Sequence, residues 1–167
     1  MRLRGTLAAL AALLVASSCA ASEPIDQSID RILIEKQARR LMLFSNGEVL
    51  RSYTVSLGGN PLGHKQQEGD ERTPEGVYSI STRNPNSSFH RSLQISYPND
   101  EDRVRAAAQG VDPGGLIMIH GIRNGLGWLG PLHRFVDWTD GCIAVTNAEM
   151  DEIWSSVSVG TPVEIRP

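Results

Sequence analysis

Cysteine, aromatic residues and clustered charge are all scarce in this chain, and each scarcity narrows what it can be. Two cysteines in 167 residues, Cys19 and Cys142, cannot build a disulfide-stapled scaffold. Lys and Arg nowhere form a basic stripe and the formal charge is -3, so nucleic acid is not an expected partner. No apolar stretch reaches the length of about 18 residues that a membrane-spanning helix requires. Aromatic residues make up 5% of the chain, whereas glycine (16) and proline (9) are plentiful, a balance that favours a turn-rich fold with substantial β-structure over a helical bundle. Repeats and low-complexity segments are missing too. With 40% hydrophobic and 21% charged residues, what remains reads as one compact domain.

What is present begins with an export signature. Arg2 and Arg4 precede an apolar stretch from Leu7 to Ala16, too short to span a bilayer but suited to the core of a secretory signal, and small residues follow. Two processing routes fit: Val15-Ala16-Ser17-Ser18-Cys19 resembles a bacterial lipobox that would lipidate Cys19, whereas Ser18-Cys19-Ala20 suits ordinary signal cleavage. Residues 1–19 are therefore read as signal and residues 24–167 as the folded domain. The expected location is the periplasm or cell envelope, with membrane attachment only through a lipid on Cys19. On both routes Cys142 remains as the single thiol, so it cannot be half of an intramolecular disulfide.

The mature chain alternates short apolar runs with turn signals. Residues 31–35, 40–44 and 48–57 read as strands, with Asn46-Gly47 forming a type I′ hairpin turn and an antiparallel meander as the outcome. In the third run Val49, Arg51, Tyr53, Val55 and Leu57 share one face. The polar segment from Gly63 to Gly76 reads as a long loop, solvated more readily than built to bind an anion through His64 and Lys65. Further strands are expected at 77–81 and 93–97, separated by a turn-rich break at Asn84-Pro85-Asn86-Ser87-Ser88. Asn99 caps a helix closed by Gly110. Leu116 to His120 is apolar almost throughout and reads as a strand buried on both faces, and Val163-Glu164-Ile165 closes the domain.

Two segments carry candidate chemistry. His120 ends the apolar strand and is followed by Gly121, a placement that suits a general base, although a lone histidine is more often structural. Cys142 follows Gly141 and precedes a strongly signalled helix, in which Thr146 and Glu149 form a capping box and Met150, Ile153, Trp154 and Val157 give an apolar stripe. The bland alternative for Cys142 is a small buried apolar residue. Between the segments lies a glycine-rich stretch in which Trp128 and Trp138 can wall a groove and His133 is a polar candidate. Asp140 works against a thiolate, because a nearby carboxylate disfavours a second negative charge. Cys142 is therefore expected to react by passing its proton to His120.

Ile119-His120-Gly121 together with Thr139-Asp140-Gly141-Cys142-Ile143-Ala144-Val145-Thr146-Asn147 resembles the signature of the L,D-transpeptidase catalytic domain of YkuD type. The Arg72-Thr73-Pro74-Glu75-Gly76 turn and the strands from Arg31 are similar as well. The resemblance implies a mainly β, sandwich-like catalytic domain over residues 24–167 with a few short helices. It implies Cys142 as nucleophile and His120 as base, a backbone carbonyl, that of Gly121, orienting the imidazole, and an oxyanion hole from the amides around Gly141 and Cys142. Substrate contacts are expected from Trp128, His133, Trp138, Asp140 and Arg72. The implied partners are peptidoglycan stem peptides and, where the acceptor or the released group is a macromolecule, a wall-attached protein or lipoprotein; no metal or organic cofactor is implied. An amine acceptor gives transfer, and water gives a carboxypeptidase or another hydrolase. This chain departs from the family pattern at Asp140, where the family has histidine, and at Ala144, where it has arginine, and such a departure also fits a wall-binding lipoprotein that has lost turnover.

Overall fold

The computed structural model describes residue 25 and residues 27–167; the export signature and Cys19 lie outside the described residues. Local turn chemistry sets the first unit. Asn46 and Gly47 adopt φ of 52° and 84°, the doubly positive backbone of a tight hairpin, and they join β2 (Arg40–Ser45) to β3 (Glu48–Thr54). With β1 (Arg31–Glu35) they make the antiparallel meander. The register shifts between Leu43 and Phe44, so the shared face expected for the third strand begins only beyond this irregularity: Val49 is exposed, whereas Tyr53, Val55 and Leu57 are buried.

The remaining strands are β4 (Gly76–Ser87), β5 (His90–Ile95), β6 (Met118–His120), β7 (Ile143–Ala144) and β8 (Pro162–Arg166). With β1 to β3 they form, among the described residues, one mixed eight-stranded sheet in the order β3-β2-β1-β8-β4-β5-β6-β7. Two parallel contacts, β1 with β8 and β6 with β7, interrupt an otherwise antiparallel arrangement. The sheet curls until its ends meet: Ser56, just past β3, exchanges both backbone hydrogen bonds with Ala144 of β7, at 3.0 and 2.9 Å. Apolar side chains such as Ile32, Leu41, Ile80, Leu93, Ile119 and Ile143 fill the interior. Three short helices complete the fold among the described residues. Helix α1 (Asp100–Gln109) and helix α2 (Asn147–Ser156) both carry full capping boxes, from Asn99 and Asp102 and from Thr146 and Glu149. The third is a kinked 3-10 segment, Gly127–Phe135.

Three expectations change. Asn84-Pro85-Asn86 is not a break, because β4 runs through it to a two-residue turn at Ser88 and Phe89; Pro85 sits within a register irregularity, where its missing N–H breaks no ladder bond. Leu116 is 65% exposed with φ of 55°, so the apolar strand starts only at Met118. The loop from Gly63 to Gly76 is solvated only in part: Gln67, Glu68, Gly69 and Glu71 are exposed, whereas Lys65 and His64 are engaged by the protein's own groups. Lys65 is buried and paired with Asp70 at 2.8 Å, and Asp70 also accepts the N–H groups of Gln66, Gln67 and Arg72. His64 accepts the Glu75 N–H on Nδ1 at 2.9 Å, which leaves Nε2 to face Asp102 at 3.1 Å.

Lys36, 2% exposed, ties this loop to the sheet by donating to the Thr73 carbonyl (2.9 Å), the Gly63 carbonyl (2.5 Å) and Glu75 Oε1 (2.8 Å). Removing one partner of such a group strands the others without solvation. Lys36→Met is expected to lower the unfolding free energy by about 3 kcal/mol in denaturant titration; a loss below about 0.5 kcal/mol would show that the loop holds without this anchor.

Candidate active site

The inner strand β6 lies between β5 and β7, and it ends at His120, which is 4% exposed. The histidine Nδ1–H donates to the Gly121 carbonyl at 2.6 Å. Because a carbonyl can only accept, the proton of the neutral ring sits on Nδ1 and the lone pair on Nε2. Burial pushes the His120 pKa below its ordinary value, opposed by the Gly121 hydrogen bond. The ring is wedged by aromatic neighbours, with centroids 4.7 Å from Phe89 and 5.7 Å from Trp138.

Gly121 is required by close approach. A Cβ there would stand 2.8 Å from Asn147 Oδ1 and 2.9 Å from His90 Cβ. Asn147, the first residue of α2, accepts the Ile122 N–H at 2.8 Å, so the helix start clamps the chain that carries the orienting carbonyl.

Cys142 lies just before β7, outside the helix, as its position ahead of the Thr146 cap suggests. Gly141 turns the chain into it with φ of 116°, and a Cβ there would come within 2.5 Å of the Arg72 carbonyl. Thr139 braces the same turn: its Oγ1 donates to the Cys142 carbonyl at 2.7 Å and accepts the Gly141 N–H at 3.2 Å. The Gly141 amide is thus engaged within the turn and is not free to form an oxyanion hole, a correction to the expectation for that residue.

The half-buried thiol is hydrogen-bonded to backbone at the start of β6. It reaches the Leu116 carbonyl at 3.6 Å and receives the Met118 N–H. Burial is the main cause that raises its pKa; the Met118 hydrogen bond opposes this and the Asp140 charge adds to it. A raised thiol and a lowered imidazole leave both groups uncharged near neutral pH. The arrangement can deprotonate the thiol only as the sulfur attacks, which is general-base rather than ion-pair chemistry.

His120 and Cys142 open onto one cavity of about 560 Å³. Trp138, His133 and Asp140 line it, and so do Met118, Phe89 and Leu132. Trp128 does not: it is 76% exposed on the outer side of the 3-10 segment. Arg72 is also absent from the lining. Its carbonyl backs Gly141, whereas its guanidinium runs toward Gly63. His133, 5% exposed, is held by Ser56, whose Oγ donates to the His133 carbonyl at 3.2 Å, and burial pushes its imidazole down to about 4.

Phe89, Thr139, Asn147 and Asp137 take positions that sequence reasoning did not assign. Phe89 arrives at the tip of the β4–β5 hairpin, a turn that Pro85 masks. Asp137 joins Arg39 (2.7 Å) to the Leu57 N–H (2.8 Å), fixing the chain that leads to Thr139. A threonine two residues before a glycine is a turn signal that could have pointed to Thr139.

The L,D-transpeptidase catalytic domain family, YkuD, matches residues 29–165. YafK of Escherichia coli strain K12, provisionally named an L,D-transpeptidase, is 32% identical over 133 residues, which cover 76% of this chain and 46% of YafK. The chain thus spans about half the length of the curated relatives it matches. The helical cell shape determining protein Pgp2 of Campylobacter jejuni superposes with a TM-score of 0.62 at 26% identity, covering 84% of this chain and 48% of Pgp2. Bd1075 of Bdellovibrio bacteriovorus gives 0.57 at 25% identity, over 83% and 48% of the two chains. L,D-transpeptidase 1 of Mycobacterium tuberculosis, at 17% identity and a TM-score of 0.52 over 84% of this chain and 62% of that one, shares the fold. The family match extends over nearly all of the described residues, and the chain belongs to the YkuD family of L,D-transpeptidase catalytic domains.

Proposed function

We propose that this protein is an exported cysteine acyltransferase of the bacterial periplasm or cell envelope. It acylates Cys142 with a peptidoglycan stem peptide at the meso-diaminopimelate carbonyl and passes the acyl group to an amine. The observation that carries this reading is the neutral imidazole of His120, its Nε2 lone pair set by the Gly121 carbonyl, opening onto the same cavity as the Cys142 thiol. Membership of the L,D-transpeptidase family supports the reaction class, and the likeness to a protein described as determining helical cell shape supports the wall as its setting.

In the first half-reaction His120 Nε2 takes the thiol proton as Sγ bonds to the carbonyl carbon. The Cys142 N–H, with the Gly141 amide already occupied, is left to meet the developing oxyanion. The C–N bond then breaks, the imidazolium returns its proton to the departing amine, and a thioester remains on Cys142. In the second half-reaction the incoming amine loses a proton to His120, attacks the thioester and releases the thiol. The largely apolar lining supports an amine over water as acceptor.

Incubating the protein with defined tetrapeptide muropeptides and resolving products by chromatography tests this. Cross-linked product and free D-alanine are expected, with Cys142→Ala lowering the rate by more than about 1,000-fold. Tripeptide without cross-link would reassign the acceptor to water, and no product from any stem peptide would leave a binding role.

The charge state of the site gives a second test. His120 has a lowered pKa, so it stays unprotonated down to below the ordinary imidazole value of about 6.5. Cys142 has a raised pKa, so its thiolate accumulates only above the ordinary thiol range of about 8.5. Acyl transfer is therefore expected to stay level through neutral pH and fall only below about pH 6.5, while alkylation of Cys142 by iodoacetamide keeps rising beyond about pH 8.5. An alkylation rate already level at pH 7 would indicate a preformed thiolate and overturn the general-base reading.

A further inference from the structure

His133 presents a hydrogen-bond donor that nothing among the described residues uses. It belongs to the kinked 3-10 segment, where Gly130 takes φ of 49° and turns Leu132 and His133 toward the cavity while Trp128 and Phe135 face solvent. Its Nδ1 lies 3.4 Å from Trp138 Nε1 and 3.3 Å from Ser56 Oγ. An indole N–H can only donate, so His133 Nδ1 must hold a lone pair. The hydroxyl hydrogen of Ser56 goes to the His133 carbonyl. The ring is neutral, since burial and then the Arg134 charge push its pKa down to about 4. Its one proton therefore sits on Nε2.

That Nε2–H is buried and meets no acceptor among the described residues. An unsatisfied buried donor forfeits its hydration without return, and because the His133 ring lines the cavity, an acceptor bound there would restore what burial costs it. The location fits. Ser56 holds His133 with its side chain and pairs through its backbone with Ala144, the position at which the family pattern has arginine. A cation there would suit a carboxylate. An uncharged N–H, in a cavity lined largely by apolar side chains, suits an uncharged oxygen.

We propose that His133 Nε2–H is a substrate-binding donor that takes a backbone carbonyl oxygen of the peptide being transferred, in place of the arginine that the family pattern carries at position 144. This rests on the acyl-transfer reading above and extends it to how the donor strand is held. The hydrogen bond positions the peptide so that its reacting carbonyl lies over Cys142, whereas a small electrophile has no peptide to be held.

Two variants and two reagents test it. His133→Phe keeps the ring volume without a donor, and His133→Gln can return an N–H near the Nε2 position. Acylation of Cys142 by a defined tetrapeptide muropeptide, followed by intact mass, is compared with alkylation by iodoacetamide. The expected result is a 10- to 100-fold (roughly) loss of kcat/KM for muropeptide in His133→Phe, recovered to within about threefold in His133→Gln, with iodoacetamide rates within about twofold throughout. Unchanged muropeptide acylation in His133→Phe overturns the proposal and leaves the acyl-transfer reading standing. Equal losses with both reagents, or no recovery in His133→Gln, mark His133 as structural and overturn it too. If wild type is alkylated by iodoacetamide but never acylated by stem peptide, the acyl-transfer reading falls and this one falls with it.

Discussion

The parallel pairing of β6 with β7 is the contact on which the site depends. Ile119 sits opposite Ile143 and His120 opposite Ala144, and the Val145 N–H closes the ladder on the His120 carbonyl at 3.0 Å. Side chains alternate along a strand, so a slip of one residue would turn His120 away from the cavity and drive Ile119 into it. The buried isoleucines on both strands hold the register, and the catalytic candidates inherit their geometry from that packing. Ser56 fixes the outer edge of β7 in turn, so the last strand of the sheet is held on both sides.

Around this ladder burial favours the uncharged forms of the two candidate reacting groups. His120 and Cys142 are both shifted toward their neutral forms by burial, and Asp140 pushes the thiol further in that direction. Charge is concentrated in the scaffold. Lys36, Lys65 and Asp137 each gather several backbone and side-chain partners and fix the loops that deliver the Arg72 carbonyl and Thr139 to the turn around Cys142. The two arrangements are complementary: charges satisfied behind the site stiffen it, and an uncharged thiol and imidazole let proton transfer accompany bond formation rather than precede it.

Much of this was legible from local chemistry. The Asn46-Gly47 hairpin, both capped helices and the placement of Cys142 ahead of the Thr146 cap follow from interactions within a few residues, which sequence records directly. The Gly121 carbonyl as the partner of His120 follows from the family pattern and is found at 2.6 Å. Trp128 and Arg72 show where residue chemistry misleads. An exposed indole and a guanidinium both suggest ligand contact, yet Trp128 faces solvent and Arg72 serves through its backbone carbonyl, a group every residue shares.

By itself, then, the sequence determined the first three strands with their Asn46-Gly47 turn, the caps of both α-helices, the single thiol of the folded domain and the family to which its two motifs point, because these depend on neighbours along the chain. Tertiary structure alone decided that Phe89 closes over His120, that Thr139 occupies the Gly141 amide, that Lys65 is buried rather than free, and that His133 keeps an unused N–H at the cavity. The first and last join segments remote in sequence, and the other two arise in loops that remote partners, Asp137 with Leu57 and Lys36 with Thr73, hold against the sheet. Such pairings come from how the sheet curls and closes, a property of the whole packed chain rather than of any local pattern.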